Sequence, residues 1–394
     1  SRAFYKYDPE AIRRYYDGRP LTILFRLVEA GLPLGLWAAS VLWDRVTGKQ
    51  EENEVMRARE LRAVLSETGP TTVKFGQALS NRPDVVGPAY VTELSTLQDN
   101  VGAFSSNAAL ETIERDLGGS VEELFEEISD EPVASASLGQ VYRARLRGMP
   151  PGKEVAVKVQ RPGLAVTVPL DMYILRRFAE LAKATIKLRS DLPAILDEFA
   201  GRLFEELDYG NEAANSLRFK RLYGGIEGLV VPEVYAAFCS RHVITMEWLQ
   251  GTKPPWAEGP GRGVAKRDVP QEERDEWKRL VRTGVKCNLK QLLDDGFFHA
   301  DPHSGNLLRT QDGKLGYLDF GMMATLPSQR RYALIVAIVH LINKDYTLLA
   351  RDFQALGFIP SDFERVDDIA QELKLAFGSA SEGGRLSQIN FPRL

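Results

Sequence analysis

The chain has 394 residues, 44% of them hydrophobic and 26% charged, with a formal net charge of −4. That is chain enough for two or three domains, and no global positive charge is present to recruit nucleic acid. The two cysteines, Cys239 and Cys287, are too few for a disulfide framework or a thiolate metal site and fit a reducing compartment.

Residues 1–20 are polar and aromatic without an apolar h-region, so no secretory signal is expected in them. The most apolar stretch, LTILFRLVEAGLPLGLWAASVLW (21–43), carries Arg26 and Glu29, and its uncharged part runs only from Ala30 to Trp43. That is short of the roughly 20 residues of a spanning helix. A helix or helix pair on a membrane surface or packed on the protein is expected, with a buried core helix as the equal alternative. EENEVMRARELRAVLSETG spaces Val55, Leu61, Val64 and Leu65 as a helix, ended by Gly69–Pro70. NAALETIERDLGGSVEELFEEI predicts two more helices broken at Gly118–Gly119, making 51–128 helical. Past Pro132, VASASLGQVYRARL and EVAVKVQ are β-rich and separated by the turn cluster RGMPPGK, which predicts a hairpin. Helical spacing returns from Leu164 to Leu222 with a break near Arg189–Pro193. LVVPEVYAAF and HVITMEWL read as strands and 250–263 as a linker or surface loop. Glu272–Asp295 reads as a long helix, NLLRTQDGKLGYLDFG as a hairpin turning at Asp312–Gly313, and 328–378 as helical. The expected organisation is a helical extension (1–128), a small sheet with a helical insert (129–249) and a mostly helical lobe (250–394).

HADPHSGN (299–306) allows two chemistries. His299, Asp301 and His303 have acceptable metal-ligand chemistry, which would make a metal-dependent hydrolase. The other histidines, His242 and His340, lie in no second cluster. The alternative pairs Asp301 with Asn306, five residues on, and with Asp319 in YLDFG after a hairpin. That is the spacing of a kinase catalytic loop and D-F-G. Asn306 and Asp319 then supply hard oxygen ligands for Mg2+, and Asp301 faces or orients the nucleophile. EVAVK puts Lys158 at a strand end, where it would neutralise the α and β phosphates. Its carboxylate partner would come from FEELDYGNEAAN, which offers Glu206, Asp208 and Glu212.

Three departures from ordinary kinases stand out. ASASLGQVY (134–142) replaces a glycine-rich loop and has only Gly139. Ala and Ser lack glycine's freedom at positive φ, so a stiffer phosphate loop is expected. Ala300 stands where many kinases carry an arginine. No A-P-E follows D-F-G, and a helix is expected from Ser328, which leaves no platform for a peptide substrate.

VKFGQALSNRPDVVGPAYVTELSTLQDNV (73–101), ASASLGQVYRA, VAVKVQRPG, EELDYGNEAAN and HADPHSGNLL…YLDFG together resemble the UbiB/ABC1/ADCK atypical kinase-like family. The N-terminal YDPEAIRRYYDGRPLTILFRLVEAGLPL is similar to plastid and cyanobacterial ABC1K-type members. The resemblance implies an α+β, bilobal kinase-like fold whose helical N-terminal extension covers the active site. It makes Lys74 and Gln77 a K-x-G-Q motif and Glu206 and Asp208 its E-x-D counterpart, with Lys74 on Glu206 as a regulatory closure. Lys158, Glu212 and Asp301 become catalytic, and Asn306 and Asp319 metal-binding. Ala134, Ser135, Ala136 and Ser137 become the nucleotide loop, usually A-A-A-S, where Ser135 adds a hydroxyl that bears on ATP versus ADP preference. Val141, Lys158, Met246, Glu247 and Leu249 complete the ATP-binding set. His299 would brace the loop near D-F-G and His303 would contact phosphate or substrate. The implied cofactors are ATP and Mg2+, with Mn2+ as an alternative. The implied partners are a prenyl-lipid or quinone precursor, a membrane surface and quinone or tocopherol biosynthetic enzymes, with no nucleic acid. The implied setting is a plastid membrane (plastoglobule or thylakoid) or a cyanobacterial one, rather than a mitochondrial or bacterial inner membrane. Two activities are compatible with all this. One is Mg-dependent ATP hydrolysis or phosphoryl transfer in isoprenoid quinone or prenyl-lipid metabolism. The other is a nucleotide-binding regulator or scaffold.

Overall fold

Helices fill the N-terminal third, and their ends follow local chemistry. The computed structural model describes residues 3–80, 86–98, 102–150, 152–185, 191–254, 270–302, 304–359, 362–363 and 365–382. Helix α1 (Pro9–Tyr16) starts on Asp8, whose carboxylate accepts from the Ala11 N–H. Helices α2 (Pro20–Arg26) and α3 (Leu32–Val46), joined by a π turn (Leu27–Gly31), run on as a continuous 27-residue helix. By length and composition this helix is sufficient to cross a membrane, and almost none of its apolar window is buried. The buried-core alternative for 21–43 is therefore overturned. The run is longer than its charges suggested because they are neutralised sideways. Arg26 reaches Asp171 at 2.6 Å, and Asp44 reaches Arg57 at 2.6 Å. One face packs through Leu34 and Trp37 onto Leu61 and Leu65. The other leaves Leu21, Phe25, Val28, Leu32, Leu36 and Trp43 exposed.

Helices α4 (Gln50–Thr68), α5 (Pro70–Ser80) and α6 (Pro88–Ser95) close a small bundle around Leu61, Leu65, Val73, Leu94 and Leu97. Helix α7 (Ser106–Leu117) follows, then one turn, α8 (Val121–Leu124), held by a Ser120–Glu123 capping box. The chain then becomes strand β1 (Phe125–Ile128), where the sequence reading had helix. Tertiary pairing decides here: Phe125 opposite Leu146 fills the sheet core, which a local helix could not do.

Strands β2 (Ala134–Ser135), β3 (Gly139–Leu146) and β4 (Val155–Gln160) form the expected hairpin region. Helices α9 (Leu164–Thr185), α10 (Leu192–Glu206) and α11 (Tyr209–Tyr223) make the insert; residues 186–190, which overlap the start of the expected break, lie outside the described residues. A second break falls at Leu207–Asp208, where Asp208 caps α11. Next come β5 (Leu229–Val230), β6 (Val243–Glu247) and β7 (Gly251–Thr252). The strand expected over 229–238 shrinks to two residues, since Pro232 cannot donate to a ladder and 236–238 turns as a 3-10 helix. Most of the expected 250–263 linker lies outside the described residues. Helix α12 (Gln271–Lys290) ends in a π turn (Gln291–Asp295). It is followed by β8 (Phe297–His299), β9 (Leu307–Thr310), β10 (Leu315–Tyr317) and β11 (Met323–Thr325), then by α13 (Ser328–Ile342), α14 (Tyr346–Leu356) and α15 (Val366–Glu382).

The main sheet has the order β1-β3-β4-β6, with β2 on β3. Its register sets Val141 opposite Lys158 and Met246 opposite Ala156. A second sheet, β5-β10-β9-β7, lies over the core of Phe219, Tyr223, Trp277, Leu280 and Phe320. A small third sheet pairs β11 with β8.

Candidate active site

Three polar side chains meet between the first sheet and α11. Lys158, on β4, places its ammonium 2.9 and 3.0 Å from the two Glu212 oxygens and 3.0 Å from Asp319 Oδ2. Of the three carboxylates open to Lys158 from sequence, Glu212 is the partner, because it projects inward from α11 and is only 2% exposed. Burial opposes the Lys158 charge, yet Asp319 and Glu212 hold its pKa well above the ordinary lysine value. Burial and the Asp319 carboxylate push Glu212 up to about 7, against the pull of Lys158. Asp319 would also be raised by burial, but Lys158 and the Gly321 N–H hold it far below the usual carboxylate range, with Lys74 adding to the effect.

The D-F-G backbone is held from α11. Asn215 Nδ2 donates to the Phe320 carbonyl at 3.1 Å, and the Phe320 ring lies 5.1 Å from Phe219. Gly321 N donates to Asp319 Oδ1 at 2.9 Å, which turns the other carboxylate oxygen toward Lys158.

His299 answers the metal question. Its Nδ1 accepts from the Asp301 N–H at 3.1 Å. The proton is therefore on Nε2, which donates to the Asp319 carbonyl at 2.8 Å. Both ring nitrogens are used on backbone, leaving no lone pair for a metal, and the ring ties the Asp301 loop to D-F-G. No cluster of three or more metal-type side chains occurs among the described residues, and His303 lies outside them. Asn306 ends a 3-10 turn, and its carbonyl accepts from Leu318 N at 3.0 Å, which brings it beside the strand end that carries Asp319. One anionic carboxylate with one amide oxygen, the rest of the shell left to water and phosphate, suits Mg2+.

The extension reaches this cluster. Lys74 on α5 bonds Glu206 at the end of α10, both side chains largely buried. Phe75 packs edge-on against Phe199 of α10, centroids 5.8 Å apart. Gly76 is needed for packing: a Cβ there would sit 2.5 Å from Leu97 and 2.9 Å from Leu65. Gln77 is directed elsewhere, donating to the Leu97 carbonyl at 3.1 Å within the extension. Asp208 does not join Lys74; it caps α11 and pairs with Arg241 at 2.7 Å.

The loop over Lys158 turns tightly, with Ala136 N donating to the Gly139 carbonyl at 2.8 Å. Ala134 and Ala136 are exposed, Ser135 is half-buried and Ser137 is buried. On β6, Met246 packs with Ala156, Tyr209 and Ala213. Glu247 accepts from the Glu233 N–H at 3.1 Å, and Leu249 reaches over β10 to Gly316. Beyond D-F-G, three strand residues pair with β8, Met323 opposite His299, before α13 begins at the expected Ser328. Sequence reasoning passed over Asn215, Gly76 and Gln291, whose side-chain oxygen accepts from the His299 N–H at 2.8 Å. Asn215 lies three residues after Glu212, one helical face, and that spacing was the available signal.

A family model described as the ABC1 atypical kinase-like domain matches residues 96–353. An uncharacterized protein of Synechocystis sp. is 43% identical over 388 residues, 98% of this chain and 55% of that protein. The chloroplast protein ACTIVITY OF BC1 COMPLEX KINASE 3 of Arabidopsis thaliana is 42% identical over 389 residues, 98% of this chain and 53% of its own length. The chain spans about half the length of these curated relatives. Among solved structures, Rv3197 of Mycobacterium tuberculosis, in complex with erythromycin, superposes with a TM-score of 0.56 at 29% identity, covering 86% of this chain and 82% of that one. The shared fold is a mixed α+β kinase-like core preceded by a helical extension.

Proposed function

This chain is a member of the ABC1 atypical kinase-like family, and from that premise we propose that it is a Mg-dependent ATPase or phosphotransferase acting on a small or lipidic acceptor. Membrane association in a plastid or cyanobacterial setting goes with its chloroplast and cyanobacterial relatives and its long exposed apolar helix. Within that setting we assign it to prenyl-lipid or isoprenoid quinone metabolism, at a plastoglobule, thylakoid or equivalent membrane. The observation that carries the reading is Lys158 held between Glu212 and Asp319.

Each residue then has a task. Glu212 fixes the Lys158 ammonium on the phosphate side of the sheet. Asp319, an anion in this fold, would be one ligand of the metal and Asn306 would supply the second protein oxygen, which would leave the Lys158 ammonium to the phosphates. Mg2+, when bound, neutralises charge on the transferring phosphoryl group. Asp301, aligned by His299, orients the attacking hydroxyl or water and takes its proton. The exposed face of Pro20–Val46 lies on lipid, which keeps the protein where a lipidic acceptor is found.

ATP turnover of wild type and Asp319→Asn, with and without quinone-like amphiphiles, tests this. Turnover by wild type that Asp319→Asn lacks supports it. Nucleotide binding by both with hydrolysis by neither refutes it in favour of a regulator or scaffold. The Lys74–Glu206 closure and the early start of α13 favour that second reading.

A further inference from the structure

Tyr209 opens α11, directly after the Asp208 cap. It is 1% exposed, and its hydroxyl has no hydrogen-bond partner. An unpaired buried hydroxyl destabilises a fold and calls for a reason. The surroundings supply one. The ring lies under the Lys158 ammonium, 4.9 Å from Nζ to the centroid. After burial, the influences on the hydroxyl are the charges of Lys158, Glu212, Asp319 and Glu206, which are the phosphate end of the site. The hydroxyl oxygen fills the space under the nucleotide loop, 2.3 Å from where a Cβ on Gly139 would stand. Gly139 is thus bare at the point where Tyr209 comes up beneath the loop.

We propose that Tyr209 is a phosphate-recognition residue: its hydroxyl is held without a partner in the nucleotide-free fold and donates to a phosphate oxygen once nucleotide displaces the A-S-A-S loop. The ring keeps Lys158 in place in both states. This deepens the nucleotide-site reading given above and rests on it.

Tyr209→Phe in the full chain tests the inference, because it keeps the ring under Lys158 and removes only the hydroxyl. Two readings are taken: thermal melting without nucleotide, and equilibrium binding of Mg-ATP, Mg-ADP and adenosine. The expected result is a melting temperature equal to or above wild type, with Mg-ATP affinity about tenfold weaker and adenosine affinity unchanged. Wild-type affinity for Mg-ATP in Tyr209→Phe overturns the proposal and leaves the nucleotide site standing. A lower melting temperature with equal losses for all three ligands also overturns it, by making the hydroxyl structural. A wild-type protein that binds none of the three refutes the nucleotide reading, and this proposal falls with it.

Discussion

Lys158 is the residue on which most of the site's electrostatics depend, and removing it exposes how much the others rely on it. Lys158→Ala leaves Glu212 buried without a counter-charge, and breaking such a pair costs about 3–5 kcal/mol. Urea unfolding is expected to show that loss and nucleotide binding to disappear. Adding Glu212→Gln is expected to restore part of the stability but none of the binding, as a double-mutant cycle would measure. At this scale the sequence was informative where chemistry constrains spacing. Lys158 at a strand end, Asp301 and Asn306 five apart and Asp319 after a hairpin match the spacing of a kinase site, and that spacing is local enough to read. Tyr209, Gln291 and Gly76 act by what they touch across the fold, so no local pattern marks them, and Asn215 is marked only by its place one turn after Glu212.

Among the elements, α7 is tied to the turn before β6 through a half-buried polar cluster. Asp116 accepts from Ser240 Oγ and lies 2.8 Å from His242 Nδ1. Burial works to raise its carboxyl, but the hydrogen bonds from His242, Ser240 and Arg115 outweigh that and hold it below the ordinary carboxylate value. A depressed carboxyl contributes stability above its unfolded value, ~3.9, and loses it as pH falls through the lower folded value. Melting curves of wild type are therefore expected to lie above those of Asp116→Asn at neutral pH and to converge with them in acid. The helix Pro20–Val46 carries a second expectation. Phe25 and Trp43 are 75% and 67% exposed on one face, and burying such side chains is worth ~1.5–3 kcal/mol each. Phe25→Glu with Trp43→Glu is expected to weaken vesicle binding by about 100-fold or more without changing nucleotide affinity, read by vesicle co-sedimentation and nucleotide titration. Element type was readable wherever periodicity ran long, as in α4, α12 and the β3–β4 hairpin. It failed at β1, where four residues take their conformation from a strand they meet only after folding.

Across the whole molecule, the extension and the insert close on each other through Lys74 and Glu206, braced by Phe75 on Phe199. Lys74→Met is expected to lower the melting temperature by a few degrees, from the loss of ~1.5–3 kcal/mol for a charged hydrogen bond. Amide exchange in α5 is expected to rise, while the Lys158–Glu212 pair still supports nucleotide binding. The order of helical extension, sheet and helical lobe was legible because composition changes sharply at Pro132. The closure needed a resemblance to predict it, since residues 132 apart share no local pattern.

The short β11 strand has a consequence for control. Three residues of the post-D-F-G segment are stitched to β8 at the Asp301 loop, and a helix follows almost at once. From Phe320 to Pro327 the chain carries one hydroxyl side chain, Thr325. A segment so brief offers little for a second enzyme to mark. The on–off decision that many signalling kinases hand to a phosphorylated loop has little to act on in this segment, which turns attention to the helical extension, held by Lys74 on Glu206 and bearing an exposed apolar flank.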